Sequence, residues 1–162
     1  MLGQWGKASF GMRTYLVIID ETEEAEIALR FAARRAAKTG GGLEILVIIP
    51  RPEFVAWGGV QATIESEART HAERVVRHAI DTLAQETPIT PKIAVKSGDP
   101  VAAIREALFE NPEIGALVLA AAKTGNPGPL VNHFAGADSG SLPCPVMIVP
   151  GSLTNEALDR LS

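Results

Sequence analysis

Four predominantly apolar runs, separated by stretches with helical periodicity, constrain the fold of this chain more than any other feature. The runs occupy residues 16–19, 43–49, 114–121 and 146–149. A strand that is apolar on both faces is typical of a parallel sheet covered by helices on each side, whereas a half-exposed strand alternates apolar and polar residues. The runs therefore predict the central strands of an α/β fold.

The segments between the runs complete this pattern. A first helix is predicted from a cap at Thr22 to a stop at Gly40, and a second through residues 68–83, after an irregular stretch that ends near residue 61. Residues 92–95 alternate as a short strand, and Pro100 opens a third helix. With a weak helix before the last strand, this order predicts a doubly wound, five-stranded parallel sheet with strand order 3-2-1-4-5.

Length and charge limit the classes of function. A chain of 162 residues with a net charge of −4 fits one domain and gives no long-range attraction to nucleic acid. No apolar run approaches the length of a membrane span. The single cysteine, Cys144, cannot form an internal disulfide, which favours the reducing cytoplasm. We predict one domain at residues 13–151, a flexible tail at 1–12 and a C-terminal tail at 152–162.

The predicted topology indicates where a ligand would bind. In sheets of this kind, ligands lie beyond the carboxyl ends of the strands, at the point where the direction of winding reverses. That position gathers Asp20, the end of the second strand and the loop after the fourth strand. We expect the functional site there.

The motifs and their order resemble the universal stress protein family over residues 13–151. They are an apolar strand ending at Asp20 before a capped helix, a strand at 45–49 that passes into a long loop, V-K-S-G-D-P at 95–100 and P-C-P-V-M-I-V-P at 143–150. The resemblance implies an adenine nucleotide alpha hydrolase-like fold and a homodimer paired through the last strand. It also implies ATP bound through a glycine signature after the fourth strand, accompanied by Mg²⁺.

That glycine signature is divergent in this chain. The family pattern has two glycines separated by two residues, then nine residues, then Gly followed by Ser or Thr. Gly125 and Gly128 supply the first pair, but after nine intervening residues the chain has Asp138 and Ser139, and Gly140 and Ser141 follow. The candidate nucleotide-binding residues implied by the resemblance are Ile18, Asp20, Ile48, Ala121, Lys123, Gly125, Gly128, Ser139 and Ser141.

Each candidate also has a purely structural interpretation. The family role of Asp20 is contact with adenine or ribose, but an aspartate after a strand equally suits local backbone donors. Ile48 fits an adenine contact or plain core. Glycines in the loop of residues 123–129 would let backbone amides approach a phosphate. Pro127 and Pro129 remove donors from the same loop and favour a rigid surface turn.

Other polar residues carry less functional information. Asp99 before Pro100 is predicted to cap a helix, and Cys144 to be a small core residue. His71 and His78 lie seven residues apart on one helix without further metal ligands, which indicates a surface helix. His133 is placed where it would overlie a bound phosphate.

Three other classes of nucleotide or phosphate protein fit poorly. A dinucleotide-binding fold would have a glycine fingerprint after the first strand, and no phosphate-loop motif is found. A phosphate-accepting receiver would need a lysine after the fifth strand, where Pro150 and Gly151 stand.

Two hypotheses therefore remain. The first is a stress protein that binds an adenine nucleotide, with ATP hydrolysis slow at most, because no activated base is evident. The second is a homodimeric interaction module of the same family that binds no nucleotide.

Overall fold

Five parallel strands form the centre of the fold, and helices pack on both of its faces. The computed structural model describes residues 13–20, 22–49 and 58–162, with side chains of the last range from Glu65 onward. The strands are β1 (Thr14–Ile19), β2 (Gly42–Ile49), β3 (Lys92–Ser97), β4 (Ile114–Ala121) and β5 (Val146–Pro150). The helices are α1 (Glu23–Thr39), α2 (Gly58–Glu86), α3 (Pro100–Glu110), α4 (Pro129–Phe134) and α5 (Asn155–Leu161).

The sheet has the strand order β3-β2-β1-β4-β5, and every pair of neighbouring strands is parallel. This confirms the predicted topology. Winding reverses between β1 and β4, because β2 and β3 lie on one side of β1 while β4 and β5 lie on the other.

Alternation along the strands divides the core into two layers. One face of the sheet packs with α1, α2 and α5 and carries Val17, Ile45 and Val118. Their sequence neighbours Leu16, Leu46 and Leu117 pack on the opposite face with α3 and α4. All six of these side chains are fully buried, which explains why the strands read as continuous apolar runs.

Local sequence signals set the ends of two helices. Gly40 ends α1 in the left-handed region, with φ of 68°. Asp99 accepts a hydrogen bond from the amide of Ala102 at 2.9 Å, with Pro100 in the first turn of α3. This confirms the predicted cap. Thr22 occupies the position before α1, but its side chain makes no capping bond to the helix.

The structure differs from the sequence prediction in three places. Helix α2 begins at Gly58, so residues 58–61, predicted as irregular, are helical, and residues 51–57 lie outside the described part. Strand β3 continues two residues further, to Ser97. The stretch 152–162, predicted as a tail, contains α5. The other predicted tail, residues 1–12, lies outside the described residues.

Helix α5 is held against α1 by one apolar anchor and several polar contacts. Leu158 is fully buried in the core layer of α1. Arg34 Nε lies 2.7 Å from Asp159 Oδ1, and Lys38 Nζ donates to Ser162 Oγ at 2.9 Å. A helix of seven residues with one buried leucine shows too little periodicity to be recognised from sequence.

Among the described helices, none has the length and apolar composition needed to cross a membrane.

Replacing Leu158 with alanine tests whether α5 stabilises the domain. Because Leu158 is fully buried, we expect a loss of about 2–5 kcal/mol in the free energy of unfolding, measured by urea denaturation. Leu161→Ala on the same helix is the control, since Leu161 is 50% exposed and should cost far less. Equal effects of the two substitutions would show that α5 contributes no specific packing.

Candidate functional site

A cleft lies at the carboxyl edge of the sheet, at the reversal of winding between β1 and β4. The end of β1, the first turns of α1 and the loop between β4 and α4 line it. It brings together Ile18, Asp20 and Gly128, three of the predicted site residues. Its volume of about 70 Å³ is well below the roughly 300–1,000 Å³ of ligand pockets for drug-sized molecules. The cleft therefore has room for one part of a nucleotide.

Asp20 is exposed just after the end of β1, and its hydrogen bonds within the described residues are local. Its Oδ1 accepts hydrogen bonds from the amide of Thr22, at 2.9 Å, and from the hydroxyl of Thr22. Its Oδ2 makes no hydrogen bond to any residue in the described part of the chain. Oδ1 thus makes the local hydrogen bonds that an aspartate after a strand is expected to make. Oδ2 can accept a hydrogen bond from a ligand.

The loop between β4 and α4 uses part of its own hydrogen-bonding capacity. Gly125 and Gly128 have φ of 72° and 116°, a region that favours glycine. The amide of Gly128 donates to Asn126 Oδ1 at 3.0 Å, and Asn132 Nδ2 donates to the same oxygen at 2.7 Å. The amide that the glycine motif would offer to a phosphate is therefore already paired within the loop.

The prolines reduce the donors of this loop further. Pro127 and Pro129 carry no amide proton, and the carbonyl of Pro127 accepts from the amide of Ala122 at 3.1 Å. Helix α4 begins at Pro129 and has only six residues. The loop has the backbone shape of an anion site but offers fewer donors than one.

Six predicted site residues do not line the cleft: Ile48, Ala121, Lys123, Gly125, Ser139 and Ser141. Ile48 and Ala121 pack against the core layer of α3 and α4, whereas Lys123 and Gly125 are exposed. The hydroxyl of Ser139 donates to the carbonyl of Gly136 at 2.8 Å, and that of Ser141 to the carbonyl of Asp138 at 3.3 Å. These two hydroxyls stabilise the turns after α4.

A charged cluster that sequence reasoning missed lies beside these turns. Asp138 Oδ2 is 2.6 Å from His133 Nε2 and 2.8 Å from Arg105 Nη1. The hydrogen bond from His133, assisted by Arg105, holds the pKa of Asp138 below its usual value. His133 was expected over a phosphate, and the structure pairs it with a carboxylate at the position of the missing third glycine. No sequence pattern links Arg105 on α3 to His133 and Asp138, which lie 28 and 33 positions later.

The remaining polar candidates give no catalytic constellation. Burial raises the pKa of the Cys144 thiol, which packs against the core as predicted and stays protonated near neutral pH. His78 Nε2 lies 2.7 Å from Glu26 Oε1, which ties α2 to α1. Among the described residues there is no group of three or more His, Cys, Asp or Glu side chains suited to a metal ion.

Replacing Asp138 with asparagine tests the clasp formed with His133 and Arg105. Because folding lowers its pKa, ionised Asp138 stabilises the protein above its ordinary pKa of 3.8 and loses this effect as pH falls through the lowered folded value. We expect Asp138→Asn to be less stable than the wild type at pH 7, with the difference shrinking below pH 3.8. Urea denaturation across this range measures it.

The control for this experiment is Asp81→Asn, because Asp81 is exposed and forms no ion pair within the described residues. A stability difference for Asp138→Asn that does not change with pH would contradict the clasp.

Comparison with known proteins places the chain in a family. The model of the universal stress protein family matches residues 12–150. The fold is similar to that of universal stress protein UspA from Lactobacillus plantarum, with a TM-score of 0.68, 19% identity and coverage of 86% of this chain and 98% of that one. No curated protein sequence matches the chain.

Two further solved structures share the architecture. A universal stress protein family member from Burkholderia pseudomallei has a TM-score of 0.62 at 17% identity, covering 88% of this chain and 98% of its own. A universal stress protein in complex with cAMP has a TM-score of 0.50 at 17% identity, covering 86% and 98%. With its sheet order, its cleft at the winding reversal and a family match over most of its length, the chain belongs to the universal stress protein family.

Proposed function

We propose that this protein binds an adenine nucleotide at the cleft between Asp20 and Gly128, in a stress-response or regulatory role. The observation that carries the proposal is the position of the cleft. Asp20, whose Oδ2 has no hydrogen bond within the described residues, and Gly128 line the same cleft at the winding reversal, where doubly wound sheets bind ligands.

Asp20 suits the base or the ribose. Its Oδ2, which has no hydrogen bond within the described residues, can accept a hydrogen bond from the exocyclic amine of adenine or from a ribose hydroxyl. Such charge-assisted hydrogen bonds are stronger than neutral ones, so this oxygen would supply much of the specificity for the ligand.

Gly128 suits the phosphate end. A Cβ atom built on Gly128 would meet no atom within 4 Å, so the space in front of the backbone is open. Binding of a highly charged phosphate chain is weakened here in two ways. The amide of Gly128 is already paired and the neighbouring prolines have none, so few donors remain, and the carboxylate of Glu24 in the cleft wall repels phosphate. ATP would need Mg²⁺ to screen its charge here, and we propose that nucleotides with a single phosphate bind better.

The relative that was solved in complex with cAMP supports this preference, since cAMP carries one phosphate. We infer no catalytic residue from the site, and we propose that any ATP hydrolysis is slow.

Calorimetric titration with AMP, cAMP and Mg²⁺-ATP tests the proposal. Asp20→Ala should weaken binding by about tenfold or more, because a hydrogen bond to a charged group contributes about 1.5–3 kcal/mol. Gly128→Val should also abolish binding by filling the open space. Gly125→Val is the matched control, since it places a side chain on another positive-φ glycine of the same loop that does not line the cleft. Absence of binding heat with all three nucleotides would refute the proposal.

The interaction module is the second candidate function, and strand β5 favours it. This strand forms one edge of the sheet, and Ile148 is 42% exposed on it although its register partner Leu119 is buried. An exposed apolar edge strand can pair with a second copy. We propose a homodimer through β5.

Ile148→Lys tests this dimer, because a charge at the edge opposes strand pairing. We expect the variant to sediment as a monomer in analytical ultracentrifugation where the wild type is dimeric. Val95→Lys on β3, the opposite edge, is the control and should leave the dimer intact. If the wild type sediments as a monomer, the homodimeric interaction module is excluded.

A further inference from the structure

A second, larger groove lies between α1 and α2, on the other side of Asp20 from the cleft. Its volume is about 300 Å³, at the lower end of the range for small-molecule sites. Asp20 and Thr22 line both the groove and the cleft. The groove has an apolar floor and a polar rim.

The floor is aliphatic. Leu29 and Ala79 are 1% and 3% exposed, and Ile19 and Val75 extend the apolar surface from the end of β1 to α2. Residues 75, 79 and 82 share one face of α2 because they recur every three or four positions. Such a surface fits the hydrocarbon part of a ligand.

The rim carries Arg74, a cation for which the described residues provide no counter-ion. Glu26 is paired with His78 at 2.7 Å and lies 3.9 Å from Arg30 Nη1, so its charge is already engaged. Arg74 projects from the same face of α2, is exposed, and has no carboxylate partner in the described part of the chain. A guanidinium group binds a carboxylate with two parallel hydrogen bonds.

We propose that the groove binds a small apolar monocarboxylate, with its carboxylate on Arg74 and its hydrocarbon body on Leu29, Val75 and Ala79. The groove shares Asp20 with the proposed nucleotide site, but among the described residues neither Gly128 nor the loop after β4 lines it, so the two proposals can be tested separately. A ligand of this class would be a fatty or aromatic acid of modest size.

Titration of the full-length protein with sodium octanoate, followed by ¹H–¹⁵N NMR, tests the site. We expect saturable shifts at the amides of Leu29 and Ala79, and binding about tenfold tighter than that of octan-1-ol, because the charged pair is lost in the alcohol. Octylammonium should bind no better than octan-1-ol. Equal binding of all three compounds, or shifts confined to other regions, would overturn the proposal.

Arg74→Gln should reduce octanoate affinity about tenfold, to the level of octan-1-ol. Arg77→Gln is the matched control, since Arg77 is exposed on the same helix and does not line the groove. If both variants lose the same amount of octanoate affinity, the loss reflects only the change in net charge, and the proposal is overturned. Both side chains are exposed, so both variants should fold, as circular dichroism can verify.

Asp20→Ala separates this proposal from the nucleotide site. The variant should bind nucleotide about tenfold or more weakly. It should bind octanoate at least as tightly as the wild type, because a carboxylate that lines the groove repels an anion. If AMP competes with octanoate for the Arg74 site in the wild type, the groove belongs to the nucleotide and the proposal is wrong.

Discussion

Burial of both faces of β1 and β4 is the constraint on which the rest of the structure depends. Two adjacent strands that are apolar on each side must be covered twice, and only helices that return across opposite faces can do this in a parallel sheet. The chain therefore has to change its winding direction between them. The site follows from that change, because the loops after β1 and β4 diverge and leave the cleft between Asp20 and Gly128.

The loop after β4 shows how a family motif can keep its shape while changing its chemistry. Gly125 and Gly128 both have the positive φ that favours glycine. The side-chain oxygen of Asn126, however, accepts the hydrogen bond from the amide of Gly128. At the third glycine position, Asp138 accepts from His133 and faces Arg105. The carboxylate of Asp138 thus engages both His133 and Arg105 within the protein.

The sequence predicted the strands, the cap at Asp99 and the stop at Gly40 because those features depend on neighbours close in the chain. The strand order followed from the general rules for connections in α/β sheets. The sequence also predicted the edge at which the cleft lies, since topology alone determines that edge. Sequence could not indicate the clasp between Arg105 and Asp138 or the docking of Leu158, because those contacts join distant elements. It equally could not show that the hydroxyls of Ser139 and Ser141 turn toward local carbonyls, which depends on the short length of α4.

The docking of α5 also determines where Ser162 lies relative to the cleft and the groove. Lys38, in the last turn of α1, contacts Ser162, and α1 ends next to the start of β2. Ser162 therefore lies near the amino edge of the sheet, across the domain from Asp20. An affinity tag or surface linker joined at Ser162 would lie away from the cleft and the groove, so the protein can be immobilised through this residue with both of them open to solvent.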